Sequence, residues 1–339
     1  MQILTELLLI KHLQVLENDA QRAKDFLEEC GALNNDFLPI KRDGFVFWPL
    51  KFEVDGTVIE LKGTPSTKTS RDYRLHLPLQ LQSLAPRAFD IFGNIAIIKI
   101  PEEILPHAKI IADSLIANNL NIDKVALDLG VTGEYRIRKL KMLSGDHDFI
   151  AKHKENGLIF TLDISKVYFS PRLSMERQRL SMLISKEEHV LDAFAGAAPF
   201  SVTLAKKGAF VTSVDSNPAS EYWANENFRV NQVSRNGYEF FCSKIEDINF
   251  NSKSFDRIIM NNPTNPLSYL DKLSKLVKPG GWIHLYFIDS KDEDLDILNY
   301  LNEEFRCDSI RKVHPYSPSS TLKVFDITRR KDNVQNTNQ

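Results

Sequence analysis

Cysteine is scarce in this chain: Cys30, Cys242 and Cys307 lie far apart in 339 residues. Their number is odd, and no CxxC pair or histidine cluster accompanies them. Neither a disulfide framework nor a zinc site is therefore expected, and no other metal centre suggests itself. That usage fits a reducing compartment, so the expectation is a cytoplasmic protein, with a nuclear location left open. Long apolar runs are missing too. The N-terminal "LLLI" spans four residues between Glu6 and Lys11, too short for a signal-peptide core or a membrane span, and no Arg-rich transit peptide is evident. A membrane is not an expected partner. Charge of one sign is also lacking: a formal net charge of −2 excludes a histone-like polycation, although a locally basic groove would not register in that total. Internal repeats are absent. What is present, 42% apolar and 26% charged residues, is the composition of a globular protein long enough for two or three domains.

Along the chain, residues 1–62 combine a helical pattern, "QRAKDFLEECGAL", with strand-like "GFVFWPLKFEV" and "TVIELKG", which predicts a small α/β module. Residues 63–84 begin "GTPSTKTSRDYRLHLP", with Lys68, Arg71 and Arg74 against a single Asp72, and read as a flexible basic linker. From 85 to 185 the segments "NIAIIKI", "KVALDLG", "DFIAKHKENG" and "LIFTLDISKVYFS" predict strands. A helix is expected at "PEEILPHAKIIADSLIANN", opened by Pro101 and two glutamates. This is the pattern of an α+β domain. Residues 186–330 alternate strand and helix, with strands expected at "HVLDAFA", "AFVTSVD", "YEFFCSK", "DRIIMNN" and "WIHLYFI", which implies a mostly parallel, Rossmann-like sheet. The tail, 331–339, is polar.

Glycine is sparse where the first strand of that sheet turns into its helix. "LDAFAGAAPFSV" has only Gly196, whereas a dinucleotide site wants several glycines so that backbone N–H groups can close on a pyrophosphate. S-adenosylmethionine carries no phosphate. Its site needs one close backbone approach, small neighbours and a helix N-terminus. The second strand ends in "VTSVDSNP" and places Asp215 nineteen residues after Gly196, where an acid would hydrogen-bond a ribose diol. A βαβ unit whose turn is small by accident would look the same.

The fourth strand ends "RIIMNNPTNPL". Asn261, Asn262 and Pro263 would sit at the carboxyl edge of the sheet, in a rigid turn able to hydrogen-bond a planar base, although taken alone a loop that merely ends a strand is the more common use of Asn-Pro. Thr264 rather than an aromatic follows that proline. Such a site argues against an exocyclic amino acceptor and leaves a ring nitrogen open. Upstream, "GEYRIRKLKML" gathers Arg136, Arg138, Lys139 and Lys141, and "KVYFSPRLSMERQRL" gathers Lys166, Tyr168, Arg172, Glu176, Arg177 and Arg179. Cationic residues punctuated by aromatics are the footprint of RNA contact, and also of an ordinary solvated face.

Taken in order and spacing, "GEYRIRKLKMLSG", "KENG", "DISKVYFSPRLSMERQRL", "LDAFAGAAPFSV", "VDSNP" and "RIIMNNP" resemble the archaeal and eukaryotic tRNA (guanine(37)-N1)-methyltransferases, class I enzymes that use S-adenosylmethionine beside the anticodon. The resemblance covers about residues 88 to 330; the N-terminal module matches only in size and place. It implies Glu176 as general base, Arg136 as donor to guanine O6, Tyr168 as a wall of the site, and Asn261 with Pro263 as holders of the base. It implies a cofactor site formed by Asp192, Phe194, Gly196, Pro199, Phe200, Asp215, Asn217 and Asn261 together with Arg172. The partner it implies is tRNA, with the N-terminal module on the outer corner and the guanine flipped from the anticodon loop into the cleft; nothing in the sequence demands more than a monomer. Guanine N1 keeps its proton at neutral pH, so a carboxylate base and an arginine at O6 fit the chemistry. Three positions depart from the family pattern: Ala198, where a second glycine is common and a methyl would sit beside the cofactor; Asn262, where leucine is usual; and Lys244, where an acid near the adenine is often found. The rival functions are a sibling transferase of the aminocarboxypropyl group in wybutosine synthesis and a noncatalytic RNA-binding relic of the fold.

Overall fold

The computed structural model describes residues 9–64, 72–264, 266–289, 298, 301, 304–317 and 319–331. It divides into two units, 1–76 and 77–339. In the first, strands β1 (Leu9–Leu16), β2 (Ile40–Arg42), β3 (Phe45–Pro49) and β4 (Val58–Lys62) form an antiparallel sheet in the order β2-β3-β1-β4. Helix α1 (Ala20–Glu29) buries Leu27 against Leu13, Ala32, Leu33 and Leu50. Part of the segment expected as a linker, with Lys68 and Arg71, lies outside the described residues. From Asp72 onward that segment is folded: Tyr73 is buried in a 3-10 turn, the Arg74 guanidinium forks onto Asp72, and α2 (Leu79–Gln82) follows in the second unit.

The second unit opens with a four-stranded sheet, β5 (Asp90–Phe92), β6 (Ile95–Ile98), β7 (Lys124–Thr132) and β8 (Ile137–Ser144), in sequential order. The expected helix after Pro101 is present as a 3-10 turn over Glu102–His107 continued by α3 (Ala108–Ala117), which makes the crossover between parallel β6 and β7. Next comes a hairpin of β9 (Ile150–Glu155) and β10 (Leu158–Asp163). Its turn is Asn156-Gly157, both at positive φ (47° and 79°), the two-residue geometry that matches strand twist. Helix α4 is Ser174–Leu183.

The large sheet contains β11 (His189–Asp192), β12 (Phe210–Asp215), β13 (Tyr238–Cys242), β14 (Phe255–Met260), β15 (Val277–Asp289), β16 (Phe305–Ser317) and β17 (Ser320–Arg329), in the order β13-β12-β11-β14-β15-β17-β16. The first five are parallel, as expected. The sequence reading did not foresee β16 and β17, which add an antiparallel pair beside β15. Side chains alternate across the sheet with period two. Leu191, Ile258 and Met260 pack on one side with α7 (Leu267–Ser274), whereas Val190 and Ile259 pack on the other with Leu180 of α4 and Phe200 and Leu204 of α5 (Pro199–Ala205).

No boundary of packing separates 85–185 from the large sheet. Phe160 and Leu162 of the β9-β10 hairpin share a core with Trp223, Ala224 and Phe228 of α6 (Pro218–Val230). Asn231 of the segment after α6 grips the Ile159 backbone N–H and carbonyl, at 2.9 and 2.6 Å. Asn227 accepts from the Thr161 amide (2.7 Å) and donates to the Ala197 carbonyl (2.9 Å), so one side chain joins the hairpin to the turn after β11.

Candidate active site

The strand order reverses at β11, whose neighbours are β12 and β14, and ligands of such sheets bind outside the carboxyl ends at that switch point. A cavity of about 260 Å³ opens there. Its floor is the turn from β11 to α5. Backbone bonds pin this turn to both neighbouring strands: Ala193 to the Ile259 carbonyl and Ala195 to that of Val214. Gly196 stands at φ +54°, and a Cβ placed there would lie 3.1 Å from the Tyr168 carbonyl oxygen, so the single glycine sits where close approach requires one. Ala198 is also left-handed, at φ +61°, an arrangement that costs an L-residue about 1 kcal/mol. Its methyl does not face the cavity, contrary to the expectation. It is fully buried in the core shared by Phe160, Val202 and Trp223, and that burial offsets the strain.

At the end of β12, the Asp215 carboxylate accepts from the amides of Gly196 (2.7 Å) and Asn217 (2.9 Å) and from the Ser220 hydroxyl (2.9 Å). Burial raises its carboxyl above the usual carboxylate range, while those three donors pull against the rise. Phe194 and Tyr269 meet edge to face at 5.0 Å and, with Ile245, supply an apolar wall. Asn261, Asn262 and Pro263 form the rim beyond β14; Tyr168 and Arg136 close the side contributed by the preceding sheet and hairpin. Lys244 does occupy a lining position; its ammonium pairs with Glu134 of the β7-β8 turn at 2.9 Å, and Glu134 and Glu246 also line the cavity.

Of the sequence-predicted residues, Arg136, Tyr168, Phe194, Gly196, Pro199, Phe200, Asp215, Asn217, Asn261 and Pro263 all meet at this cavity. The Asn217 amide is committed elsewhere, capping α6 through Ala219 and donating to the Lys166 carbonyl. Three positions do not line it. Arg172 reaches outward to Asp90 at 2.6 Å. Asp192 lies beneath the turn, 1% exposed, holding the Ser201 hydroxyl of α5 at 2.7 Å; burial pushes its carboxyl up to about 7. Glu176 is buried behind the wall. Its carboxylate accepts from Arg179 (2.6 Å), the Tyr286 hydroxyl (2.9 Å) and Arg311 (3.3 Å), and the Tyr286 ring packs on Phe200, which does line the cavity. Burial alone would raise the Glu176 carboxyl, but the two guanidiniums override it and hold it below the usual range. Tyr286 and Phe200 connect it to the cavity wall.

Among the lining residues that sequence reasoning missed are Arg177, Ile245, Tyr269, Glu134 and Tyr316. Arg177 is 1% exposed, forks onto Glu155 of β9 at 2.5 and 2.6 Å, and stacks over Phe169 and Phe200. The basic clusters are less free than their composition suggests. Arg138 binds Asp90 and Asp128, Lys166 binds Asp163, and Arg179 binds Glu176 and Asp326. Lys139 and Lys141, alternating outward along β8, remain exposed.

A 3-2-1-4-5-7-6 sheet with a carboxylate-anchored, glycine-poor turn at its switch point defines a class I methyltransferase. Residues 151–308 match the family described as "TRM5/TYW2 methyltransferase domain", and 74–148 match "TYW2 N-terminal domain". The tRNA (guanine(37)-N(1))-methyltransferase Trm5b of Pyrococcus abyssi is 38% identical over 265 residues, 77% of this chain and 78% of that one. The corresponding Trm5b of Methanocaldococcus jannaschii is 28% identical over 337 residues, covering 93% and 97%. The crystal structure of wild-type Trm5b from Pyrococcus abyssi superposes with a TM-score of 0.74 at 31% identity, covering 95% of this chain and 99% of that one. The chain belongs to the Trm5-type branch of the TRM5/TYW2 methyltransferases.

Proposed function

We propose that the protein is a tRNA (guanine(37)-N1)-methyltransferase that uses S-adenosylmethionine. The observation that carries this reading is the convergence, at one switch-point cavity, of the Gly196 and Asp215 cradle with Asn261, Pro263, Tyr168 and Arg136. The cofactor fits the residues present: a carboxylate suited to a ribose diol, an apolar slot of Phe194, Ile245 and Tyr269 suited to adenine, and no nest of glycines for a pyrophosphate. When bound, it supplies an electrophilic methyl group.

This chain's residues do the rest. Asn261 and Pro263 hold the guanine edge, and Tyr168 limits its position. Arg136 donates to O6 and stabilises the negative charge that grows there as N1 loses its proton. Glu176 takes that proton; since it does not line the cavity in the free protein, this requires the Tyr286 and Phe200 side chains to shift and the carboxylate to exchange part of its bonding to Arg179, Arg311 and Tyr286 for the base. The wider surface carrying Lys139 and Lys141 meets the anticodon loop, unit 1–76 meets the outer corner of the tRNA, and the enzyme works as a cytoplasmic monomer.

Unmodified tRNA transcripts with guanine or adenine beside the anticodon, incubated with labelled donor, test the reading by mass spectrometry of the nucleoside. The expected product carries one added methyl on guanine only. The match of 74–148 to the TYW2 N-terminal domain favours one competitor, aminocarboxypropyl transfer, which would leave a much heavier adduct. Absence of both products, together with no heat of S-adenosylmethionine binding at millimolar concentration, would mark a relic.

A further inference from the structure

Arg136 and Tyr316 meet across the cavity from opposite ends of the second unit. Arg136 closes the turn between β7 and β8 with its amide on the Gly133 carbonyl (3.2 Å) and its backbone left-handed at φ +52°. A long side chain adopts that conformation only where its surroundings hold it there. Two ties do so. Glu134, in the same turn, pairs with Lys244, and the Arg136 Nη2 donates to the Tyr316 hydroxyl of β16 at 2.6 Å, a contact spanning 180 residues of sequence. Both Arg136 and Tyr316 line the cavity. The Arg136 Nη1 is withdrawn from solvent and has no hydrogen-bond partner. An unpaired buried donor on a charged group is costly, which is the expected state of a group whose partner arrives with the substrate.

We propose that Tyr316 is a positioning residue for Arg136. Its hydroxyl accepts one N–H of the guanidinium and fixes the plane of the fork, so that the remaining donors stand ready for the substrate base without reorganisation during methyl transfer. Tyr316 touches neither the transferred group nor the proton in this scheme and acts through Arg136 alone. The inference rests on the reading of Arg136 as donor to the base. It adds that the C-terminal β16-β17 hairpin is part of the active site, because it delivers the hydroxyl that orients a residue from the other sheet.

Tyr316→Phe, Arg136→Ala and the double variant, compared with the parent in single-turnover methylation of a tRNA transcript, test it. Tyr316 is 43% exposed, so losing its hydroxyl should leave Tm unchanged. Tyr316→Phe is expected to lower the methyl-transfer rate about 10-fold, the scale of a misplaced catalytic group, with KM for tRNA and the calorimetric Kd for S-adenosylmethionine unchanged. In the Arg136→Ala background the same change should alter the rate less than about 2-fold, because the group it positions is gone. Parent-like turnover in Tyr316→Phe while Arg136→Ala is impaired overturns the positioning role and spares the reading of Arg136. Losses that multiply in the double variant overturn it too, since they mean Tyr316 acts independently. Parent-like turnover in Arg136→Ala overturns both.

Discussion

Replacing Glu176 by glutamine separates the two jobs the carboxylate holds. In the fold it is 5% exposed and accepts from Arg179, Tyr286 and Arg311. Removing one partner of a buried ion pair costs about 3–5 kcal/mol. Here the figure is smaller: Arg179 and Arg311 each keep Asp326, at 3.1 and 3.3 Å, and both remain partly solvated, which leaves about 2 kcal/mol. For a unit of this size that corresponds to a fall in Tm of about 3–4 °C. The deficit should depend on pH. A carboxyl held below its unfolded value contributes stability that is fully present above that value and is lost as pH falls through the folded one. Scanning calorimetry should therefore find the full deficit at pH 7 and a shrinking one below about pH 4. Methylation should fall by about 10²-fold or more with little change in tRNA binding. A Tm within 1 °C of the parent at pH 7 would refute the clamp, and near-normal turnover would refute the role as base.

Asp215→Ala removes the acceptor of three hydrogen bonds, one of them from Gly196, and should weaken S-adenosylhomocysteine binding about 10- to 100-fold by calorimetry; undiminished affinity would take Asp215 out of the cofactor site. Asp192 titrates near 7 in the fold, so its contribution is intact below its unfolded value near 4 and is lost as pH rises toward 7. Asp192→Asn should accordingly gain in Tm relative to the parent between pH 4.5 and 7.5, a gap that stays constant if the buried acid is not the cause. Gly196→Ala meets the Tyr168 carbonyl in a left-handed backbone and should cost about 1–2 kcal/mol in thermal unfolding; an unchanged Tm would show that the turn can relax.

The five parallel strands and the turn at Gly196 were legible because period-two apolar patterns and a strand-turn-helix signature are local. So was Asp215, whose distance from Gly196 follows from one βαβ unit. Strands β16 and β17 were not. At the sheet's edge, β16 alternates charged residues outward and carries Pro315 beside a bulge, a tolerated arrangement that reads in sequence as loop. Missing that strand hid Tyr316 and Arg311. The clamp on Glu176 was illegible for a related reason: Tyr286 and Arg311 lie 110 and 135 residues away, and nothing in "SMERQRL" announces them. Composition also overstated the basic surface, because pairing of Arg138, Arg172 and Arg179 with acids depends on the tertiary fold.

The asparagines of α6 and its C-terminal cap have an effect beyond packing. Among the described residues β10 pairs only with β9, which leaves a row of backbone groups on its other side, the usual invitation to a foreign strand. Asn227 and Asn231, one helical turn apart, answer that row with carboxamides that mimic peptide groups, so a helix impersonates the missing third strand. That edge of β10 is thereby capped. Because Asn227 holds Ala197 in the same grip, the height of the cofactor turn is dictated from outside the sheet to which it belongs.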